Sequence, residues 1–557
     1  MSMTVKSFLN AEGHKLFDMF ERDTCRPDEM QKQFLLRILK KNSHTSYGEK
    51  YSFSRISDIG SFRKKVPLAE YSDLAFYMDR VRRGEKNVLT AEPVSMFART
   101  SGTTTEPKYV PVTASGCRRT GMLMRQWLSR TLSNHPAFLD KGFLMITGAV
   151  VEGRLDCGLP YGSTSGMIYT NLPKEVRKLF AIPLCMTEVE DYNLRYYLMA
   201  RISLGKQISF IVTPSPLTLI KLAETAIARQ EEIIRSIHNG WLSEKLQTAE
   251  KCADTGIPLI IASSLSPDKK RARFLSRILE RNGELLPYRC WPDLSLIGCW
   301  LGGSVGFHAD ALDRYYGKTP KRDIGYMASE GCFNLPCQDS IPSGILAIRN
   351  NYYEFIPENQ SDSENPDILS AGEIKDGAFY KIILTNESGL YRYDINDIVK
   401  VDGFHNKTPL ISFVRKDVSY LNVAGEKLHI NHFLTAVRAL KTDFSIAVRQ
   451  FRAVPDNRKL RYELLLDIRS RINSGFIRDT LRPAIDMLLR RCNIEYDAKR
   501  KSGRLNLPCI HIMKPSWEEN LRKTHILDGR LDIQYKWIHI SGEFMETDRP
   551  HIKYTID

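Results

Sequence analysis

Long hydrophobic runs are missing from this sequence. Its longest apolar candidate, GFLMITGAVV (142–151), falls well short of the ~18 residues that cross a bilayer as a helix, so no membrane span is expected. The N-terminal MSMTVKSFLNAEGHKLF lacks the charged-then-apolar order of a secretory signal. Eleven cysteines, an odd and scattered set, make no disulfide framework and point to reduced thiols in a cytoplasmic setting. Cys332 and Cys337 lie close in the chain but lack a second ligand pair, which argues against a zinc site there. Helix-turn-helix and RNA-binding signatures are absent, as are internal repeats, and the basic residues are interspersed with acidic ones. The net charge of +15 is therefore read as a solvated basic face, with a polyanionic substrate or partner second and no nucleic acid. Arg449, Arg452, Arg458, Lys459, Arg461, Arg469 and Arg471 concentrate that charge late in the chain.

What is present is ordinary globular material in quantity. The chain has 557 residues, 42% hydrophobic and 26% charged, too many for one core and too apolar for disorder. Helical periodicity marks QKQFLLRILKKN (31–42) and LIKLAETAIARQEEIIRSIHNG (219–240), the latter with Asn239-Gly240 as its stop. Short apolar runs bounded by Gly or Pro, such as FLMIT (143–147) and ISFIVT (208–213), read as buried strands. Helix and strand signals alternate to about residue 340, which predicts an α/β lobe. A β-rich patch follows with GILAIRN (344–350), YYEFIP (352–357) and FYKIILTN (379–386), interrupted by the exposed loop ENQSDSENPD (358–367). The pattern restarts after residue 416, so a smaller second domain is expected there.

Three stretches carry nucleotide-like chemistry. ARTSGTTTEPKYVPVT (98–113) packs hydroxyls around a glycine. It is not a Walker loop, because Lys108 runs into the strand-like Tyr109-Val110-Pro111-Val112. Either it is a polar turn, or Ser101, Thr103 and Thr104 donate to phosphate oxygens while Gly102 lets the backbone approach. GYMASEG (325–331) offers Tyr326 as base-stacker or core aromatic. It also offers Ser329 for phosphate, and Glu330 as an oxygen ligand for Mg²⁺ or a helix-start residue. In GLYRYDINDIVKVDGFHNKTPLISFVRKD (389–417), Asp397 follows a strand as a ribose clamp or a turn former.

The ordered trio TSGTT…PK, YMASE and LYRY…ND resembles the motifs of the acyl-adenylate-forming superfamily. Its wording is similar to the auxin-responsive acyl acid amido synthetase family. QFLLRILKKNSHTSYGEKY (33–51), VPLAEYSDLAFYMDRVRRGEKNVLTAEPVSMFARTSGTT (66–104) and EEIIRSIHNGWLS (231–243) read the same way. So do GFHNKTPLISFVRK (403–416) and DGRLDIQYK (528–536).

The resemblance implies an α/β fold: a large multi-subdomain N-terminal lobe (1–416), with mixed β-sheets flanked by helices, and a small mobile α+β C-terminal domain (417–557). It implies a ligase that uses ATP and Mg²⁺ to adenylate a carboxylic acid, then passes the acyl group to an amine, commonly that of an amino acid. By motif match, Ser101, Gly102, Thr103 and Thr104 grip phosphate, and Tyr326 stacks on adenine. Ser329 and Glu330 serve phosphate and metal, and Asp397 holds the ribose. Lys416 corresponds to the hinge-side lysine, and Lys536 to the C-terminal lysine that stabilises the adenylation transition state. LGGSVGF (301–307) corresponds to an acyl-pocket segment, with Ser304 and Trp300 as candidates. Arg125, on the expected helix after the phosphate loop, is a candidate anchor for a second acidic group on the substrate.

No His/Asp pair stands out as a base for the amine; His308 and His429 lie near relevant segments. Departures from the family pattern fall at Thr105-Glu106, at Asp394 in place of a basic residue, and at Trp537-Ile538-His539. A monomer with small-molecule substrates is expected. Transfer of the acyl group to a thiol is one alternative, and a catalytically weak nucleotide- or polyanion-binding protein is another.

Overall fold

Runs such as ISFIV, buried along almost their whole length, can be satisfied only inside a sheet covered on both faces. They form one in the computed structural model. The structure describes residues 2–557 except 100–107, 173, 190, 242–259, 262–264, 362, 418–419, 469–472, 528–534 and 536. Its described residues divide into two compact units, Met1–Val414 and Arg415–Asp557, where the sequence led us to expect a division after residue 416.

The first unit is α/β with mixed sheets flanked by helices. Gly142–Met145, Ile208–Val212, Leu296–Gly298 and Lys321–Arg322 form an all-parallel sheet in that order. A second sheet pairs Tyr109–Thr113 with Val94–Arg99 antiparallel, and continues through Pro160–Gly162 to Gly153–Arg154. The third, six-stranded sheet runs Asn334–Leu335, Gly344–Leu346, Thr408–Lys416, Tyr393–His405, Phe379–Thr385, Tyr352–Pro357. The helix Ala114–Asn134 starts where the Thr113 hydroxyl accepts the Gly116 N–H at 3.2 Å, an N-cap worth about 1 kcal/mol. Its Trp127, Leu128 and Leu132 are buried in the main core.

The stretch 219–240, expected as one helix, is two: Pro216–Ala228 and Gln230–Asn239. Arg229 leaves helical geometry at φ −121°, with its guanidinium over the Tyr197 ring at 3.8 Å and bonded to Glu232 at 2.7 and 2.8 Å. The side chain finds better partners than helix continuation offers. Gly240 does end the second helix, at φ +83°.

The second unit is a mixed sheet in the order Val448–Asp456, Arg461–Ile468, Cys509–Met513, Ile552–Ile556, whose middle pair is parallel. The helices Ile430–Phe444 and Arg482–Cys492 carry buried Phe433, Leu440 and Leu489. The reading of a solvated basic face fits the exposed Arg458 and Lys459 but not Arg452 and Arg461. Arg452 is 2% exposed and bonded to the buried Asp548, and its guanidinium lies 4.8 Å from the Trp537 ring. Arg461 is also buried, paired with Asp456, Glu463 and Asp557. The Arg452 guanidinium is retained because the Asp548 carboxylate is buried with it, and that of Arg461 because three partly exposed carboxylates surround it. All ten described cysteines are free thiols. No described helix is long and apolar enough to cross a membrane.

Candidate active site

The sequence Asp-Ile-Asn-Asp (394–397) is poorly suited to regular strand, because Asn tolerates a left-handed backbone and Asp bonds its own neighbours. Asp397 was expected just after a strand. It lies inside the strand Tyr393–His405, at an irregularity between the pairs Lys381↔Ile398 and Ile383↔Asp394. Asn396 takes φ +58°, and its N–H donates to Asp394 Oδ1 at 2.6 Å. Lys381 Nζ lies 3.1 Å from Asp394 Oδ2. Burial pushes the Asp394 carboxyl up, and Lys381 opposes that shift. The acidic departure at 394 is thus accommodated by a cation on the neighbouring strand, and together they shape the bulge that presents Asp397.

Asp397 is 2% exposed and accepts a hydrogen bond from the Tyr326 hydroxyl. Burial first, and then Asp397, push the Tyr326 phenol far up, so it stays protonated and donates. The Tyr326 ring stacks on Phe333 at 4.2 Å and tilts against Phe413 at 5.3 Å. This packing is that of a core aromatic, one of the two readings the sequence offers for Tyr326. Protein rings flank Tyr326, its backbone N–H is fixed to Asn334 Oδ1 at 2.7 Å, and what it offers is a hydroxyl that orients Asp397.

Beside it, Met327–Ala328 and Gly331–Cys332 make a short hairpin with Ser329 and Glu330 at its turn. Glu330 therefore sits at a hairpin turn and starts no helix. Its carbonyl accepts the Asn386 side-chain N–H at 2.8 Å, which ties the turn to the six-stranded sheet. The hairpin borders a polar cleft that Gly116, Arg119, Thr120 and Thr164 also line. The buried Thr164 Oγ1 has no hydrogen-bond partner among the described residues. Glu387 also lines this cleft, 4% exposed in its side chain, with Arg119 at 2.9 Å, Arg37 at 2.8 Å and Lys41 at 3.5 Å. Burial raises the Glu387 carboxyl, but Arg119, Arg37 and Lys41 outweigh it and hold it below the usual range.

A second cleft, with about 590 Å³ of space open to solvent, is lined by Met124, Trp127, Leu128, Phe143, Met145 and other apolar groups. Its floor includes Ile146, Thr147, Thr213 and Pro214, just past the carboxyl ends of two parallel strands. That is where open α/β sheets receive ligands. Thr213 is 1% exposed, and its Oγ1 has no hydrogen-bond partner among the described residues. Ile168 lines both clefts.

Asp323 braces the edge of this region. Its Oδ2 accepts the Leu301 N–H and its Oδ1 the Gly325 N–H, each at 2.7 Å. Burial pushes its carboxyl up to about 7 against the pull of these backbone donors. Trp300 donates its indole N–H to the Gly325 carbonyl at 3.0 Å, and Ser304 precedes the 3₁₀ turn Val305–Leu312. Just beyond it, Gly306 is required sterically, since a Cβ there would lie 1.9 Å from the Leu301 carbonyl oxygen.

The structure thus brings Ser329 and Glu330 to one cleft and joins Tyr326 to Asp397. Trp300, Ser304 and Arg125 line neither cleft. Arg119, on the same helix as Arg125, faces the polar one. Ser101, Gly102, Thr103, Thr104 and Lys536 lie outside the described residues, as do Thr105 and Glu106. The strands flanking 100–107 pair antiparallel, Arg99 opposite Tyr109. Lys416 ends the strand Thr408–Lys416, and its carbonyl accepts from Arg415 Nη1 at 3.1 Å. His308 is buried in the Val305–Leu312 turn. His429 is pushed down to about 4, by burial first and then by Arg415 and His432. Thr164, Thr213, Arg119 and Glu387 were not singled out from sequence, because a buried hydroxyl or ion pair leaves no trace in residue spacing.

Residues 16–321 match the GH3 family N-terminal domain, 344–416 the GH3 family central domain and 431–543 the GH3 family C-terminal domain. The chain is 27% identical over 442 residues to indole-3-acetic acid-amido synthetase GH3.4 of Arabidopsis thaliana, covering 74% of this chain and 71% of that protein. It is 25% identical over 445 residues to jasmonoyl–L-amino acid synthetase JAR4 of Nicotiana attenuata, covering 77% and 76%. Among solved structures, AtGH3.15 acyl acid amido synthetase in complex with 2,4-DB superposes with a TM-score of 0.83 at 20% identity, covering 98% of this chain and 97% of that one.

Proposed function

This chain belongs to the GH3 family, and from that premise we propose that it is an ATP-dependent acyl acid amido synthetase whose two clefts divide the first half-reaction between them. The observation that carries this reading is their junction at Ile168, a polar cleft with Glu330 on one side and an apolar cleft on the other. A carboxylate to be activated needs its apolar body buried and its charged end brought to a phosphate. Two clefts with a shared wall meet both needs.

In the adenylation step a carboxylate oxygen attacks the α-phosphorus of ATP. The bridging P–O bond to the β-phosphate breaks, and pyrophosphate leaves. Both reactants are anions, so charge neutralisation and positioning supply most of the acceleration. Ser101, Gly102, Thr103 and Thr104 are proposed to hold the phosphates, with Ser329 and the Thr164 hydroxyl as further donors. Gly116 and Thr120 belong to the first turns of the helix Ala114–Asn134, whose N-terminal end favours negative charge. Glu330, a hard oxygen donor in this cleft, fits Mg²⁺ better than any sulfur or imidazole set would. When bound, Mg²⁺ offsets the negative charge of the phosphates. Asp397, oriented by Tyr326, is proposed to accept hydrogen bonds from the ribose hydroxyls. Lys416 and Lys536 are assigned cationic roles by motif match, Lys536 at the transition state.

The acid is proposed to be an apolar monocarboxylate seated among Met124, Trp127 and Leu128, with the buried Thr213 hydroxyl available to a polar atom. In the second step the amine nitrogen attacks the acyl carbon, the C–O bond to AMP breaks, and the nitrogen releases its proton to solvent. An amino acid is the proposed amine. The free thiols fit a reducing, cytoplasmic compartment. A pyrophosphate-release screen of carboxylic acids, run with and without an amino acid panel, tests the reading. Acid-dependent pyrophosphate with amine-dependent AMP and an amide detected by mass spectrometry is expected. AMP that responds to coenzyme A and to no amine would overturn it.

A further inference from the structure

The second unit holds a cluster that the proposed reaction does not use. Glu463 lies on the strand Arg461–Ile468, and Cys509 and His511 lie on its parallel neighbour Cys509–Met513. Glu463 and Cys509 are partners in the ladder. Cys509 and His511 are two apart, so their side chains share a face. One ligand atom from each residue comes together within 4.8 Å. His511 Nε2 is 3.7 Å from Cys509 Sγ and 3.4 Å from Glu463 Oε2. Ligands on a tetrahedral zinc, at about 2.0–2.3 Å from the metal, are separated from one another by about 3.3–3.8 Å.

The surroundings orient this set further. His511 Nδ1 is engaged by Thr555 Oγ1 at 2.8 Å, from the strand Ile552–Ile556, which leaves Nε2 as the nitrogen that faces the other two groups. The second carboxylate oxygen, Glu463 Oε1, is 3.5 Å from Arg461 Nη2, so Oε2 is turned inward. The guanidinium is itself balanced by Asp456 and Asp557. Cys509 is fully buried, His511 is 7% exposed, and the Phe544 ring packs edge-on to the imidazole at 5.5 Å. Hydrogen-bonded ligands under an apolar cover are what protein metal sites require beyond the ligands themselves.

We propose that Glu463, Cys509 and His511 form a binding site for a zinc-class divalent cation, which staples the two central strands of the second unit. A thiolate, an imidazole and a carboxylate are a borderline-soft set. They select Zn²⁺ over the Mg²⁺ that serves ATP, so this site is chemically separate from the one at Glu330. Two anionic ligands neutralise the dication, and the fourth coordination position is left to water. Binding releases the Cys509 thiol proton to solvent and fixes His511 neutral.

The test uses the full-length protein without a histidine tag. Apo-protein is titrated with Co²⁺ and then with Zn²⁺ against a chromophoric chelator, alongside elemental analysis of the protein as purified. One metal per chain, a cobalt–thiolate charge-transfer band and displacement of Co²⁺ by Zn²⁺ are expected. Thr555→Val, which removes only the group that orients His511, should weaken Zn²⁺ affinity about 10- to 100-fold. Cys509→Ser should abolish the charge-transfer band with an unchanged far-ultraviolet spectrum. Wild-type protein that takes up no metal and gives no thiolate band overturns the proposal. So does Cys509→Ser protein that retains both the metal and its affinity.

Discussion

The two clefts of the first unit share Ile168 and differ in almost everything else. The polar cleft is walled by a hairpin turn and the start of a helix, with Ser329, Glu330, Arg119 and Thr164 turned toward it. The apolar cleft is walled by strand ends and the middle of that helix, and its polar members include Thr147, Ser165 and Thr213. One helix therefore serves both. Its first turns offer a favourable end to anions, and a few residues later the same face offers Met124, Trp127 and Leu128. The difference teaches that charge handling and acid selection can be altered separately by changes on one element.

The largest effect should come from the polar side. Glu330→Gln is expected to lower kcat/KM for pyrophosphate release about 10²- to 10³-fold. The fold should be intact, because Asn386 holds the Glu330 carbonyl and not its side chain. A variant within threefold of wild type in the pyrophosphate assay would remove Glu330 from the charge-handling side. Next, Met124→Ala enlarges the apolar cleft and should cost roughly 10- to 100-fold in kcat/KM for the acid, with KM for ATP unchanged. Equal rises in both KM values would show that the clefts are not separable. Thr213→Val should cost less, about 2- to 10-fold in KM for the acid alone, the worth of one hydrogen bond.

On the separate scale of stability, the expected effect is a pH slope. Asp323 titrates near 7 in the folded protein, raised by burial, and near 3.9 when unfolded. Between those values the native state holds a proton that the unfolded state does not, so this group's contribution to stability falls as pH rises. Urea unfolding from pH 4.5 to 7 should show Asp323→Asn losing part of that downward slope relative to wild type. Parallel curves would place the Asp323 titration elsewhere.

Local pattern carried much of this fold. YYEFIP (352–357) is a strand at both predicted ends, Tyr352–Pro357, because turn-formers bound a run that the sheet buries whole. ISFIVT and FLMIT became parallel strands for the same reason. Local pattern failed where a distant partner decides the geometry. The break at Arg229 depends on Tyr197 and Glu232, and the bulge before Asp397 depends on Lys381 across the ladder. The buried settings of Arg452 and Arg461 depend on Asp548 and Asp557, about a hundred residues on.

The candidate site divides in the same way. The motifs around Tyr326, Glu330 and Asp397 are local and were read from the chain. The bond that couples Tyr326 to Asp397 spans 71 residues and gives the tyrosine hydroxyl an orienting contact that no local pattern announces. Trp300 and Ser304 stand out in the sequence only through the resemblance of LGGSVGF (301–307) to an acyl-pocket segment. That stretch turns against Phe413 and Asp323, distant partners that its own pattern does not announce. Cys509 and His511 carried no signal on their own, since Glu463 completes the group only through strand pairing.

Adenylation itself is tested most directly by oxygen transfer. With a carboxylic acid labelled with ¹⁸O in both carboxylate oxygens, an amino acid and unlabelled ATP, one labelled oxygen should appear in AMP and one should remain in the amide carbonyl. AMP free of label, with ¹⁸O recovered in inorganic phosphate, would mean that the acid is activated at a terminal phosphorus, and would contradict the account.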